Sequence, residues 1–334
     1  MAKIVFFELE EWETSYIKEH LKGHELVFVD KRLTLDVVDK YDDSDVLSVF
    51  IYSKINNSLL GKLPKVRLVV TMSTGFDHID LDACRKKNVV ACNVPAYGDN
   101  TVAEHAMGLL LAISRKLVPS VERTRKGDFS LDGLRGFDLK GKTIGIIGTG
   151  KIGRNMAHFA EAFGMRVIAF DKFPNYELAK ECGFAYVSLD ELLAQSDVIS
   201  LHLPENSETH HIINKDNVRK IRKGCVLINT ARGGLIETEA ILLGLKEKIF
   251  SACGLDVLEE ECAIREEKEL VLETFQHTCD MKTMLQAHML LLQPNVIITP
   301  HNAFNSSEAL VRILDTTIDN INAFFAGVPK NKIT

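Results

Sequence analysis

At 334 residues, 46% hydrophobic and 26% charged, the chain is long enough for two domains and has the make-up of a globular protein, not of a disulfide mini-protein, a collagen-like rod or a disordered tail. No apolar run approaches the ~18 residues of a membrane span. A formal charge of −6, with Lys and Arg spread along the chain, offers no basic stripe to a nucleic acid.

Met1-Ala2-Lys3 leads directly into the strand-like Ile4 to Phe7 without the pattern of a signal peptide, so a cytoplasmic location is the default expectation. Short β-branched runs then alternate with segments of helical length: Trp12 to Leu21 as helix, and Leu26 to Val29, Val46 to Tyr52, Leu68 to Met72 and Val89 to Cys92 as strands. Such alternation predicts a parallel sheet with helices on both faces, because parallel strands need crossovers. Thr101 to Lys126, rich in Ala, Leu, Met and Lys, has the composition of one long helix, with Asn100 as its N-cap. A second series begins at Thr143, with strands at Ile144 to Ile147, Val167 to Phe170, Val198 to Leu203, Val226 to Asn229, Gly254 to Val257 and Val296 to Thr299. The last apolar helix, Ser306 to Phe325, is free to return to the first series. The expected organisation is thus one domain inserted in another: residues 1–100 and 301–334 form a flavodoxin-like substrate (catalytic) domain, and residues 101–300 a doubly wound Rossmann domain.

The seven cysteines are odd in number and form no Cys-x-x-Cys pair, so neither a disulfide framework nor a zinc site is indicated. They read as small buried hydrophobes in a reducing compartment.

Gly148-Thr149-Gly150-Lys151-Ile152-Gly153 follows a strand and opens a helix, Arg154 to Phe163, the context in which a Gly-x-Gly-x-x-Gly run points to a dinucleotide. The first glycine permits the tight turn, the second lets the backbone approach a pyrophosphate, and the third lets helix and strand pack. Asp171 closes the next strand 18 residues past Gly153, where a carboxylate accepts hydrogen bonds from an adenosine ribose and repels a 2′-phosphate. NAD is therefore expected over NADP, a preference that the adjacent Lys172 weakens.

Three polar residues fall at or past the carboxyl ends of strands in the second series, where open α/β sheets bind ligands. They are Arg232, Glu261 and His301. Singly each has an ordinary reading: an arginine in a turn, one of three glutamates in a solvated run, a histidine after Pro300. Together they suit hydride transfer to a 2-keto acid. A guanidinium binds the substrate carboxylate through two parallel hydrogen bonds, an imidazole gives a proton to the carbonyl oxygen, and a carboxylate raises the imidazole pKa above its ordinary value near ~6.5. No metal is needed.

On these residues the chain resembles the D-isomer-specific 2-hydroxyacid dehydrogenases, and within them the D-lactate dehydrogenase subgroup. The likeness covers essentially the whole chain. Besides the glycine run it lies in Ile228-Asn229-Thr230-Ala231-Arg232-Gly233, Gly254-Leu255-Asp256-Val257 with Glu261 after it, and Ile298-Thr299-Pro300-His301-Asn302-Ala303-Phe304. Ser73-Thr74-Gly75-Phe76-Asp77-His78-Ile79-Asp80, Pro95-Ala96-Tyr97 and Val102-Ala103-Glu104-His105 complete it. The resemblance implies that Arg232 binds substrate, Glu261 partners the histidine and His301 is the acid in reduction and the base in oxidation. It also implies that Asp256 lies against the nicotinamide ribose, and that Thr230, Ala231 and Val102 line the cofactor. Leu203, Pro204 and Thr209 would cover its adenosine side; Tyr52, Ser73, Thr74, Gly75, Tyr97 and Phe304 would wall the substrate pocket.

Where many relatives place Glu-Pro after Asp-Val, this chain runs Leu258-Glu259-Glu260-Glu261-Cys262 and continues into a long helical insert to Leu292. A one-residue slip would give the role to Glu260; Glu261 has the subgroup's spacing, five residues past Asp256. The function these readings imply is NAD-dependent, reversible reduction of a small 2-keto acid, pyruvate first, to the D-2-hydroxy acid. The alternatives are another keto acid (2-ketoisocaproate, phenylpyruvate, glyoxylate or hydroxypyruvate) or a non-enzymatic NAD-sensing corepressor. A homodimer through the NAD-binding domain is expected, two-fold closure being the commonest arrangement.

Overall fold

The computed structural model describes residues 1–259 and 281–334, and they form two compact units, residues 1–97 with 305–334 and residues 98–304. In the first unit five parallel strands, β1 (Lys3–Phe7), β2 (Glu25–Val29), β3 (Val46–Val49), β4 (Leu68–Thr71) and β5 (Val90–Cys92), stand in the order β2-β1-β3-β4-β5. That is the flavodoxin-like order. Every residue of β3 and β4 is buried, which is why these strands read as continuous apolar runs instead of alternating ones. β3 stops at Val49, three residues short of the expected Tyr52. The closing helix Ser307–Phe325 is capped by Ser306, whose Oγ accepts the Ala309 N–H at 3.2 Å.

In the second unit seven parallel strands, β6 (Thr143–Ile147), β7 (Arg166–Phe170), β8 (Ala185–Tyr186), β9 (Val198–Leu201), β10 (Cys225–Asn229), β11 (Phe250–Leu255) and β12 (Val296–Ile298), run in the order β12-β11-β10-β9-β6-β7-β8. This is the doubly wound Rossmann order, reversing between β6 and β9. One apolar cluster lies on each face, one built on Ile144, Ile146, Val226 and Ile228, the other on Ile147, Ile199, Leu227 and Leu255. The two-residue β8 is too short to carry a period and is not legible in the sequence.

The segment expected as one helix over Thr101 to Lys126 is two, Thr101–Ser114 and Leu117–Arg125. Lys116 between them is left-handed, with φ +53°. The cause is a return of the chain: the Phe137 N–H donates to the Ser114 carbonyl at 2.9 Å, and a Cβ on Gly136 would lie 2.1 Å from that same oxygen. The carbonyl that would continue the helix is thus capped from outside. Asn100 also departs from expectation. Its backbone is already helical and its side chain makes no cap bond, the amide reaching forward to Glu104 Oε1 at 3.1 Å.

The five described cysteines, Cys84, Cys92, Cys182, Cys225 and Cys253, are buried and free. Burial pushes the Cys84 and Cys92 thiols up to about 11. Cys262 and Cys279 lie outside the described residues. No described helix is long and apolar enough to cross a membrane.

Candidate active site

The glycine run sits where the second sheet reverses. Gly148 follows β6 with φ +96°, and a Cβ there would lie 2.8 Å from the His202 carbonyl oxygen. A Cβ on Gly153 would lie 2.0 Å from the Gly148 carbonyl, so both positions exclude any side chain. Gly150 is different: open space surrounds its Cβ position, as a close-approaching ligand requires. It precedes the helix Lys151–Ala162, whose N-cap supplies no side-chain acceptor, leaving first-turn N–H groups and the positive dipole end for an anion. Ile152 packs on the core, while Lys151 is exposed and pairs with Asp99 at 3.3 Å. Val102, half-buried on the helix Thr101–Ser114, packs beside Gly98.

Asp171, just past β7, is held by three donors. Its Oδ2 accepts the Thr149 N–H at 2.7 Å and the Thr149 hydroxyl at 3.0 Å, and its Oδ1 accepts the Phe173 N–H at 2.9 Å. Because an ionised carboxylate only accepts, Thr149 gives its one hydroxyl proton to Asp171. The Tyr186 hydroxyl, 2.7 Å away, must then donate to Thr149, and itself accepts the Asn175 N–H. This directed chain links the glycine loop to Asp171, and sequence spacing alone did not reveal Tyr186. Around Asp171, Pro174, Tyr176, Tyr186, Ser188 and Glu191 line a pocket. The loop after β9 carries Leu203, packed on the core, exposed Pro204, and Thr209, whose hydroxyl donates to the Pro204 carbonyl at 2.7 Å.

Next to the glycine run, Thr230 and His202 stand side by side, one step past the paired Asn229 and Leu201. Thr230 Oγ1 and His202 Nδ1 are buried without a hydrogen-bond partner among the described residues. Buried polar atoms are seldom left so, and a polar ligand along this edge would satisfy them. The open Gly150, the uncapped helix and these two atoms fit a dinucleotide. His202 was not singled out from the sequence; its burial pushes the imidazole down to about 4.

Arg232 follows β10, Asp256 follows β11 and His301 follows β12, so strand order alone brings the three to one edge within about 10 Å of backbone. Ala231 N–H donates to Asn229 Oδ1 at 3.1 Å, Asn229 Nδ2 donates to the Arg232 carbonyl at 2.8 Å, and the Arg232 guanidinium reaches the Ala231 carbonyl at 2.7 Å. The turn is therefore rigid. His301 is left-handed, with φ +53°. The Asp256 side chain, fully buried, organises that loop: Oδ1 accepts the Thr299 hydroxyl and the Asn302 N–H at 3.0 Å, and Oδ2 accepts the Ala303 N–H at 2.9 Å. His105 joins through Nε2, 3.0 Å from Thr299 Oγ1 and 3.6 Å from Asp256 Oδ1. Phe304 is half-buried at the end of the same loop.

Glu260 and Glu261 lie outside the described residues. Glu259 does not, and its carboxylate is occupied: Oε2 accepts the Thr238 N–H at 2.6 Å and the Thr238 hydroxyl at 2.5 Å, while Oε1 meets His211 Nε2 at 2.5 Å. The first glutamate of the run is thus a structural anchor against Gly233, whose Cβ would meet the Leu258 carbonyl at 2.1 Å.

The remaining candidates belong to the first unit and line its carboxyl edge. Ser73 is buried, its hydroxyl donating to the Gly75 carbonyl at 2.6 Å, so it shapes the Ser73-Thr74-Gly75 turn from within. Thr74 is exposed and its hydroxyl donates to the Val94 carbonyl at 2.8 Å. Tyr52 is exposed, its N–H held by Glu8 Oε2 at 3.0 Å. Tyr97 is half-buried, its carbonyl accepting from the Arg312 guanidinium at 2.8 Å. No cluster of metal-ligating side chains occurs among the described residues.

Residues 107–303 match the family described as D-isomer specific 2-hydroxyacid dehydrogenase, NAD binding domain. The chain is 39% identical to a 2-hydroxyacid dehydrogenase homolog of Zymomonas mobilis over 91% of each chain. It is 34% identical to the D-lactate dehydrogenase of Escherichia coli over 96% of each. Among solved structures it resembles D-lactate dehydrogenase of Aquifex aeolicus complexed with NAD and lactic acid, with a TM-score of 0.87 and 37% identity over 97% of this chain and 96% of that one.

Proposed function

Because the chain belongs to the D-isomer-specific 2-hydroxyacid dehydrogenase family and is NAD-dependent, we propose that its reaction is the reversible reduction of pyruvate to D-lactate. The observation that carries this choice of acid is the near-complete overlap with a neighbour solved with NAD and lactic acid. When bound, NADH supplies the hydride that adds to the carbonyl carbon. Arg232 grips the substrate carboxylate through two N–H donors, and His301, as imidazolium, gives its proton to the carbonyl oxygen, so the hydride forms the new C–H bond and the proton the O–H bond of the hydroxy acid. Glu261 favours the charged imidazole before transfer. We assign Asp256 to holding the His301 loop, since its carboxylate is already bonded to Thr299, Asn302 and Ala303, and not to touching the nicotinamide ribose. Thr230 and Ala231 line the cofactor; Tyr52, Thr74, Gly75, Tyr97 and Phe304 wall the substrate. The same reading makes the protein a cytoplasmic homodimer joined through its NAD-binding unit.

Steady-state rates with pyruvate, phenylpyruvate, 2-ketoisocaproate, glyoxylate and hydroxypyruvate test this. Pyruvate is expected to have the highest kcat/KM and D-lactate to be its product; a higher value for another acid overturns the choice of pyruvate, and NADH binding without turnover of any acid would favour a sensor. His301→Ala is expected to lose activity in both directions by about 10²–10⁴-fold. Reduction needs the imidazolium and oxidation the neutral ring, so reduction is expected to fall and oxidation to rise with increasing pH. Glu261→Gln removes the charge proposed to favour the imidazolium and is expected to move both profiles to lower pH. If Glu260→Gln moves them instead, the partner is Glu260.

A further inference from the structure

Lys172 is an awkward neighbour for a ribose-binding acid. A cation beside that position is what accommodates a 2′-phosphate in dinucleotide sites, yet here it follows Asp171 directly. In the folded chain the Lys172 ammonium is engaged: Nζ is ion-paired to the Glu208 carboxylate, 36 residues away in the loop after β9, and lies 5.6 Å from the centre of the Phe173 ring. Both side chains are more than half exposed, where a pair between freely moving groups is worth little. These two are mounted on fixed backbones. The Glu208 N–H donates to Asn206 Oδ1 at 2.9 Å, the Asn206 N–H donates to Thr209 Oγ1 at 2.9 Å, and the Thr209 hydroxyl donates to the Pro204 carbonyl. On the other side the Phe173 N–H is held by Asp171 itself. Less entropy is lost in closing a pair whose ends are already placed.

We propose that Glu208 is a second determinant of cofactor choice, excluding a 2′-phosphate by neutralising the Lys172 ammonium beside Asp171. Asp171 repels the phosphate; Glu208 neutralises the adjacent Lys172 ammonium that would attract it. The two acids act on the same ribose position from different loops. This rests on the assignment of Asp171 to the adenosine ribose.

Calorimetric titration of the full-length protein with ADP-ribose and with 2′-phospho-ADP-ribose, at low ionic strength, reads the effect as binding and without turnover. Glu208→Gln is expected to raise the affinity ratio of the phosphorylated to the plain ligand roughly three- to fivefold, the size of one surface charge contact. Adding Lys172→Ala to that variant is expected to return the ratio to its wild-type value. An unchanged ratio in Glu208→Gln overturns the proposal, and so does a gain that survives in the double variant, which would make Glu208 a long-range repulsive charge acting without Lys172. Asp171→Ala, measured alongside, tests the underlying assignment separately: if it leaves the ratio unchanged, the ribose lies elsewhere, whatever Glu208 does.

Discussion

A single imidazole illustrates how burial at this site bears on stability. His202 stands beside Gly148 at the reversal of the sheet, its Nε2 2.9 Å from Ser200 Oγ and its Nδ1 buried without a partner among the described residues. Desolvation pushes it from 6.5 down to about 4. The unfolded chain therefore takes up a proton below about pH 6.5 that the folded protein refuses until about pH 4. Stability from this group is complete above 6.5 and is lost as pH falls through that window, by about 1–3 kcal/mol. Urea unfolding between pH 4 and 7 is expected to show a shallower acid loss for His202→Asn than for wild type. Equal slopes would show that His202 is solvated and titrates normally.

At the scale of elements, the loop that leaves β11 is held at its start by Glu259. Its carboxylate serves the Thr238 N–H, the Thr238 hydroxyl and His211, and its side chain is 15% exposed. Glu259→Ala strands those groups and is expected to cost about 1–3 kcal/mol, seen as a fall of several degrees in Tm. Glu11→Ala, on an exposed helix turn, is the control and stays within about 0.5 kcal/mol. Equal Tm values for the two variants would remove the anchor. The acidic run reads in sequence as three equivalent solvated charges; what separates Glu259 is the return of Thr238 and His211 to it, from 21 and 48 residues away. The break at Lys116 has the same character, since it depends on Phe137 coming back to Ser114.

For the whole molecule, a dimer through the NAD-binding unit needs an apolar surface, and the helix beginning at Thr101 is rich in apolar residues. Those residues, among them Ala103, Ala106, Leu109, Leu110 and Ile113, are buried inside their own unit. Exposed apolar groups occur just beyond: Leu117, Val118 and Val121 on the following helix, then Phe129 at 79% and Leu131 at 82% exposure. Large side chains left in water on neighbouring turns are what the proposed dimer would cover. Light scattering at micromolar concentration is expected to give the mass of a dimer for wild type and of a monomer for a Phe129→Asp, Leu131→Asp double variant. A wild-type monomer would leave the patch without this role.

What the sequence by itself determined are the features that backbone sterics enforce over a few residues. Short apolar runs place β1 to β7, β9, β10 and β12, while β11, expected at Gly254 to Val257, lies at Phe250–Leu255; the parallel alternation follows from these runs, and Gly148 and Gly153 mark contacts that admit no Cβ. The places of Arg232 and His301 past strand ends follow from that alternation, whereas Asp256, expected inside a strand over Gly254 to Val257, lies just past β11. Only the tertiary structure decided where polar groups find partners far along the chain. It turns the Asp256 carboxylate toward the backbone of Asn302 and Ala303, Tyr186 toward Thr149, and Lys172 toward Glu208. The physical reason is distance along the chain: a hydrogen bond between residues 36 or 46 apart leaves no period or turn signal, because nothing local fixes which donor the folded sheet will bring to which acceptor.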